Sequence, residues 1–527
     1  MHSITHAPPF ESWTVRKPIT RSPGGVVVSQ HGLASDIGAK VLAEGGNAVD
    51  AAVTAGLAIG TVEPWMSGLG GCGYMLVHVA ATRQTWCVEF GVRAPAALDP
   101  SAYPLIEGDD LDLFAWPAVL EDRNQQGPLS IAVPGMVAGH AAALERFGTR
   151  SWGEALAPAI ESARAGITVD WYATLKIAAE ARSLARYGES ARVFLPDDLP
   201  PSGTWGGPLP MIHLGRLSET LKRLAEAGPQ DFYTGDIASE LIADAREAGS
   251  PLCGEDLSSY AASIHPALTG SYRGASIHGA PGLTAGPTLM HVLSLIEEPL
   301  AGVSGEPDAH SYTAYAAALA SAYEHRLQTM GDDGEAGGPE SCTTHMSVVD
   351  GEGNIVSLTQ TLLSVFGSRV MMPRTGMLMN NGIMWFDPRP GRANSIGAGK
   401  RPLSNMCPAI VEREDGMRIG LGASGGRRIM PAVAQLISFM VDFGLDFETA
   451  IHLPRIDVSG GDDIICDMRL GSEVHENLAR QSPVIVAANA VYPGLFACPN
   501  LVAFDAASNS GLGGAYVMSP WAKASGA

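Results

Sequence analysis

The chain has 527 residues, 46% of them hydrophobic, and its 34 basic against 55 acidic residues leave a formal net charge of −21. That apolar fraction supports a large core, while acidic residues scattered along the chain exclude nucleic acid as a partner, since a phosphate backbone calls for a basic surface. Seven cysteines, at 72, 87, 253, 342, 407, 466 and 498, are odd in number and lack C-x-x-C spacing, which argues against a disulfide frame or a thiolate zinc site and for reduced thiols in a cytoplasmic protein.

The N-terminus, M-H-S-I-T-H-A-P-P-F-E-S-W, shows neither a positive n-region nor an apolar h-region, so a cytoplasmic location is expected. The richest apolar segment, 51–62, is broken by Gly56 and Gly60, and no membrane partner is expected. Residues 26–29 read as a short buried strand and 33–42 as a helix. Gly45-Gly46-Asn47 stops that helix, and 48–59 starts another, rich enough in alanine and glycine to pack closely. Ser67-Gly68-Leu69-Gly70-Gly71-Cys72-Gly73 has no G-x-x-x-x-G-K and no strand-then-helix context, so it predicts a tight turn rather than a phosphate loop. Strands are expected at 74–79, 85–90 and 129–133, and Pro134-Gly135 opens a helix to about residue 146. Amphipathic helices at 156–165, 217–227 and 236–248 point to helical layers over sheets. An edge strand is expected at 271–278 and a long helix at 309–327. His140, His265, His278 and His291 are isolated, with no H-E-x-x-H, so neither a metal nor a cofactor is expected.

The chemistry begins at residue 341. The runs 343–349 and 355–362 alternate around Asp350-Gly351-Glu352-Gly353-Asn354, which predicts two antiparallel strands joined by a short loop. The stretch before them, G-D-D-G-E-A-G-G-P-E, has almost nothing to bury and reads as a flexible tether. A tether meeting a strand at Thr343 is what a self-cleaving amidase needs. The Thr343 hydroxyl attacks the carbonyl of Cys342, the acyl chain shifts from nitrogen to oxygen, and hydrolysis frees Thr343 as a new N-terminus. Its amine, titrating near ~7.7 to 8.0 when unperturbed, then takes the proton from its own Oγ. Alone, the Thr343-Thr344 pair fits ordinary strand threonines better. Further on, a strand at 418–421 turns through Gly422-Ala423-Ser424-Gly425-Gly426 into a helix at 429–443. A glycine turn feeding a helix N-terminus offers backbone N–H groups to an anion, and acyl transfer needs such a site for its oxyanion.

The ordered blocks T-T-H-M-S-V-V-D, G-N-I-V-S-L-T-Q-T-L, F-G-S, G-M-L-M-N-N, K-R-P-L-S-N-M-C-P and G-A-S-G-G resemble the small-subunit half of the gamma-glutamyltransferases, N-terminal-nucleophile hydrolases that mature by one internal cut. Upstream, E-G-G-N-A-V-D-A-A, G-L-G-G-C-G and P-G-M-V-A-G extend the resemblance over nearly the whole chain. It implies an α+β fold, the four-layer αββα sandwich, and two subunits from one precursor: 1–342, ending in the tether 328–342, and 343–527. By the same resemblance Thr343 is the nucleophile, Thr361 hydrogen-bonds it or its new amine, Gly425 and Gly426 form the oxyanion hole, and Ser404 helps hold a substrate carboxylate.

Recognition of a glutamyl group departs from the family pattern. The family's carboxylate-binding arginine falls on Gly91, with Arg93 two positions on and, along a continuing strand, displaced by about 6 to 7 Å. The asparagine after T-x-T-L is Leu363, the second serine is Asn405, and the residues that hold the α-ammonium are Gly382 and Trp385. A buried ammonium without a carboxylate partner costs several kcal/mol. The acyl group is therefore expected to be smaller than glutamyl or to lack its free amine, with Arg93, Arg427 or Arg428 at hand for a carboxylate. Oxamate amidohydrolases and cephalosporin-type or other N-acyl acylases fit such a pocket. Residues 386–399 stand where many relatives carry a longer lid, so a more open cleft and hydrolysis in excess of transfer are expected. The contrasting reading is a catalytically silent binding protein, against which Thr343, Thr361 and the glycine pair all stand intact.

Overall fold

The computed structural model describes residues 14–109, 116–332 and 344–527. The alternating runs around the 350–354 turn form the strands Thr344–Asp350 and Ile355–Thr361, with Thr344 opposite Gln360 and Val349 opposite Ile355. Asp350 closes the turn: its Oδ1 accepts from the N–H groups of Glu352 and Asn354 at 3.0 and 2.9 Å. An aspartate that binds the backbone just ahead of it is a turn device in its own right.

This hairpin is the centre of a seven-stranded antiparallel sheet. Its order is Lys523–Gly526, Gly25–Ser29, Thr344–Asp350, Ile355–Thr361, Cys72–Val79, Gln84–Phe90 and Ser263–Pro266. A second antiparallel sheet runs Thr20–Ser22, Ser510–Ala515, Cys498–Asp505, Arg418–Ser424, Ala409–Glu412, Ala275–Gly279 and Leu268–Tyr272. The apolar face of the hairpin, including Met346, Val348, Val356 and Leu358, packs with the helices Gly32–Ala43, Ala48–Val62 and Met136–Phe147. The outer face of the second sheet packs with Gly286–Glu297, Ala309–Thr329 and Ile429–Val441. Helices, sheet, sheet and helices make the four-layer αββα sandwich.

The inner faces are unusual in being partly polar. His345, Ser347, Ser357 and Thr359 face the second sheet, and every residue of both hairpin strands is buried. Each polar group is satisfied: His345 bonds Thr359 Oγ1 and Ser347 Oγ at 2.9 Å each, and Ser357 Oγ donates to the Leu421 carbonyl at 2.9 Å. Asn500 Nδ2 donates to the His345 carbonyl at 3.0 Å. Burial pushes the His345 imidazole down to about 3, so it stays neutral. Its ring lies directly over Gly422, where a β-carbon would run into His345 Cε1.

Two expectations are corrected. Residues 129–133 are not a strand: Pro128–Ser130 is a 3-10 turn, and only Val133 bridges Arg93. Prolines 128 and 134 fix the backbone and remove donors at both ends of that run. Residues 271–278 are not one strand but the heart of a hairpin, Leu268–Tyr272 and Ala275–Gly279, turning at Arg273 and Gly274 with φ of 50° and 80°. Alternation of residue types continues through such a turn and hides it. The six described cysteines form no disulfide. Among the described residues no helix is long and apolar enough to cross a membrane.

Because Gly422 lets the two sheets approach at His345, Gly422→Ala is expected to cost about 1–3 kcal/mol through overpacking. Gly461→Ala, with nothing within 4 Å of the added carbon, is the control. Thermal denaturation should show a lowered Tm for the first and an unchanged Tm for the second.

Candidate active site

Cys342 and Thr343 lie outside the described residues, and the site is built from what surrounds the next residue, Thr344. Its Oγ1 lies 3.2 Å from Gln30 Oε1 and 3.4 Å from Glu63 Oε2, to either of which the hydroxyl donates. Gln30 comes directly after the last residue of the Gly25–Ser29 strand, and its Nε2 donates to Ser424 Oγ, the end of the Arg418–Ser424 strand. One buried amide therefore joins the start of the Thr344 strand in the first sheet to the end of a strand in the second.

The glycine pair comes immediately after Ser424. The strand runs three residues past the expected 421, so the turn is confined to Gly425 and Gly426, with φ of 137° and 65°. Both values lie where a side chain is disfavoured, and a β-carbon on Gly425 would sit 2.9 Å from Ala497 Cα. A 3-10 turn, Gly426–Arg428, leads into the helix Ile429–Val441. Successive N–H groups in such a turn form an anion-binding concavity.

Thr361 ends its strand in full burial, and its Oγ1 accepts from the Leu363 N–H at 2.7 Å. The glycine-rich turn at 67–73 lies against it, with Gly71 so close that a β-carbon would approach the Thr361 carbonyl. Leu363 holds φ at 89°, a backbone strain of order 1–3 kcal/mol of the kind that gathers at functional sites. Leu363, Trp385, Ile383 and Trp116 share one buried apolar cluster. Within it Trp385 Nε1 has no hydrogen-bond partner among the described residues.

Ser404 and Asn405 are brought together by an arginine that carries no motif in the sequence. Arg326, buried near the end of the Ala309–Thr329 helix, donates from Nη2 to the Ser404 carbonyl at 3.1 Å and to Asn405 Oδ1 at 3.4 Å. Its Nη1 donates to the Thr284 carbonyl at 3.0 Å. Asn405 Nδ2 is buried with no partner among the described residues. Arg93 is not brought to this group: its guanidinium donates to Ser259 Oγ at 2.7 Å and to the Asp256 carbonyl at 3.2 Å.

The electrostatics are dominated by Glu63, which caps the Ala48–Val62 helix and is 2% exposed. Burial pushes its carboxyl up to about 8, with Lys176 and the Thr344 hydroxyl pulling the other way. Gln30, Glu63 and Arg326 had no signal of their own in the sequence, since each is a single polar residue at the edge of an element. Gln30 and Glu63 directly follow an apolar strand and an apolar helix, whereas Arg326 lies within the last turn of its helix. Among the described residues no group of three or more His, Cys, Asp or Glu side chains is placed to hold a metal ion.

The Gamma-glutamyltranspeptidase family profile matches residues 34–340 and 334–491. The glutathione hydrolase proenzyme of Bacillus subtilis (strain 168) is 29% identical over 510 residues, covering 86% of this chain and 84% of its own. The acylase ACY 1 proenzyme of Pseudomonas sp. (strain V22) is 32% identical over 499 residues, covering 88% and 87%. In three dimensions the chain resembles a cephalosporin acylase from Bacillus halodurans, with a TM-score of 0.84 at 21% identity over 99% of both chains, a likeness of fold. The Helicobacter pylori gamma-glutamyltranspeptidase superposes with a TM-score of 0.51 at 28% identity over 59% of this chain and 86% of that one. With its sequence matched along most of its length and its sandwich assembled around the end of the Thr344 strand, the chain belongs to the gamma-glutamyltranspeptidase family of enzymes.

Proposed function

We propose that this enzyme is a self-processing amidohydrolase whose nucleophile is Thr343, freed as an N-terminus by cleavage after Cys342 to give subunits 1–342 and 343–527. The observation that carries the reading is the Gln30 amide, which ties Thr344, the residue covalently next to Thr343, to Ser424, the residue before the glycine pair. A nucleophile and an oxyanion site must be neighbours for acyl transfer, and one side chain holds their two flanking residues together.

In this mechanism the Thr343 amine takes the proton from its own Oγ, and Oγ adds to the substrate carbonyl. The carbonyl electron pair moves to oxygen and is stabilised by the N–H groups of Gly425 and Gly426. Collapse expels the amine, which takes the proton from the Thr343 ammonium and leaves an ester on Oγ. Water then adds by the same route, returns a proton to Oγ and releases the acid. Thr361 holds the nucleophile end in place. Water competes well with amine acceptors across the short 386–399 crossing, so hydrolysis exceeds transfer.

The acyl group carries a carboxylate but no free ammonium. Leu363 and Trp385 make an apolar wall, beside which Trp385 Nε1 and Asn405 Nδ2 are buried donors without partners among the described residues, while the buried acid of the region, Asp457, is already in the field of Arg427 and Arg428. Donors suit an anionic acyl group, as in an oxamate-type amide or an N-acyl compound of the acylase kind, and offer nothing to an ammonium.

A neutral Glu63 serves this chemistry, because a fixed negative charge near the Thr343 amine would favour its ammonium form, which is no base.

Thr343→Ala is expected to remain a single chain and to turn over no amide. Intact mass near neutral pH checks this, the wild type giving a smaller chain that begins T-T-H-M-S-V, and a processed variant would sink the assignment. The buried carboxyl sets a second expectation. Glu63 titrates near 8 in the folded chain against 4.5 ordinarily, so between those values the folded state holds a proton that the unfolded state has released. Stability therefore falls as pH rises through that window. Glu63→Gln should lose that component, and its Tm relative to wild type should rise between about pH 5 and about pH 9.

A further inference from the structure

We propose that Arg427, lying against the Trp116 ring, is the residue that binds the carboxylate at the far end of the acyl group. The inference rests on reading the glycine pair as the centre of acyl transfer. Arg427 comes directly after Gly425 and Gly426, so its side chain begins one residue from the reacting carbonyl's site. It is 9% exposed, and its Cζ lies 5.1 Å from the centroid of the Trp116 ring. A guanidinium over an indole face is held by the ring quadrupole and keeps its N–H fork in plane, the geometry that binds a carboxylate bidentately.

Trp116 joins this cation to the rest of the pocket. It is 6% exposed and belongs to the same cluster as Leu363 and Trp385. The 386–399 segment reaches the same ring through Arg389, whose Cζ lies 5.6 Å from the centroid. Arg389 is bound to Asp387, with Nε at 2.9 Å from Oδ1 and Nη2 at 2.6 Å from Oδ2. It therefore acts as a neutral ion pair that fixes the ring. Trp385 Nε1, a buried donor without a partner among the described residues, adds a second group suited to an anion. Behind Arg427 stands a second cation, Arg428, whose Nη1 donates to the Gly494 carbonyl at 2.7 Å. Asp457 is buried in the field of both arginines, its Oδ2 accepting from Ser459 Oγ at 2.8 Å. Arg93, the residue nearest in sequence to the family's arginine position, has its guanidinium at Ser259 and Asp256 instead. The carboxylate site is thus assigned beside the oxyanion turn rather than at Arg93.

The test compares glutaryl, γ-glutamyl and pentanoyl p-nitroanilides on the processed enzyme, together with equilibrium binding of glutarate. The three acyl groups share one carbon chain and differ in carboxylate and amine. Wild type is expected to favour glutaryl over pentanoyl by at least about tenfold in kcat/KM, the scale of one charge-assisted contact. In Arg427→Gln that ratio should collapse and glutarate binding weaken by at least about tenfold, with Arg427→Lys in between because it keeps the charge but not the fork. Trp116→Leu should shift both readouts the same way, which guards against a variant that merely misfolds. A preference left intact in Arg427→Gln, or glutarate held as tightly as by wild type, overturns the site. Arg427-dependent glutarate binding without turnover of any anilide supports the anion site and sinks the acyl-transfer reading. Turnover of all three anilides with neither preference nor glutarate binding does the reverse.

Discussion

Everything at the candidate site depends on how closely two sheets approach along a polar seam. Sheets usually pack through interdigitated apolar side chains about 10 Å apart. Here His345 and Ser357 satisfy their hydrogen bonds within the seam, and Gly422 makes room for the imidazole. A buried polar network specifies one arrangement, because any slip strands donors and acceptors at a cost of about 1–3 kcal/mol each. At the end of this seam Gln30 spans the sheets, so the alignment of Thr344 with Ser424 is inherited from the register of the whole sandwich.

That register is set by many weak choices agreeing. The Ala48–Val62 helix is buried on every side and begins with a capping box between Asn47 and Asp50. Asp50 also accepts from the N–H groups of Thr149 and Arg150 at 2.8 and 3.0 Å, which pins the next helical layer. Its far end delivers Glu63 to Thr344. A carboxyl in so dry a place is retained in spite of its desolvation cost, and the strain at Leu363, whose N–H is held by Thr361, is a second departure from the local optimum. Departures of this sort concentrate where function outweighs stability.

Relatives of this chain carry both glutathione hydrolase and acylase names at similar identity, near 30%. Overall similarity therefore does not separate the two kinds of substrate. At the positions where this chain departs from the family pattern, Leu363 and Trp385 are buried in one apolar cluster, and Trp385 Nε1 and Asn405 Nδ2 are donors without partners among the described residues. Specificity by omission is effective in a buried site, since an unpaired charge costs more than an absent contact.

The sequence alone determined the hairpin around 350–354, the helices at 217–227 and 236–248 to the residue, and the family, because periodicity, turn residues and ordered motifs are local properties. Thr361, Gly425, Gly426 and Ser404 were nameable for the same reason, each lying inside a recognisable block. The hairpin at 268–279 and the 3-10 turn at 128–130 were not legible, since alternation runs through the first and prolines interrupt the second. Only the tertiary structure decided that Gln30, Glu63, Arg326 and Trp116 belong beside these blocks, and that Arg93 points to Ser259 instead. Those residues come from strands, helices and loops tens to hundreds of positions apart, and a lone polar or aromatic side chain carries no mark of the partner that folding brings to it.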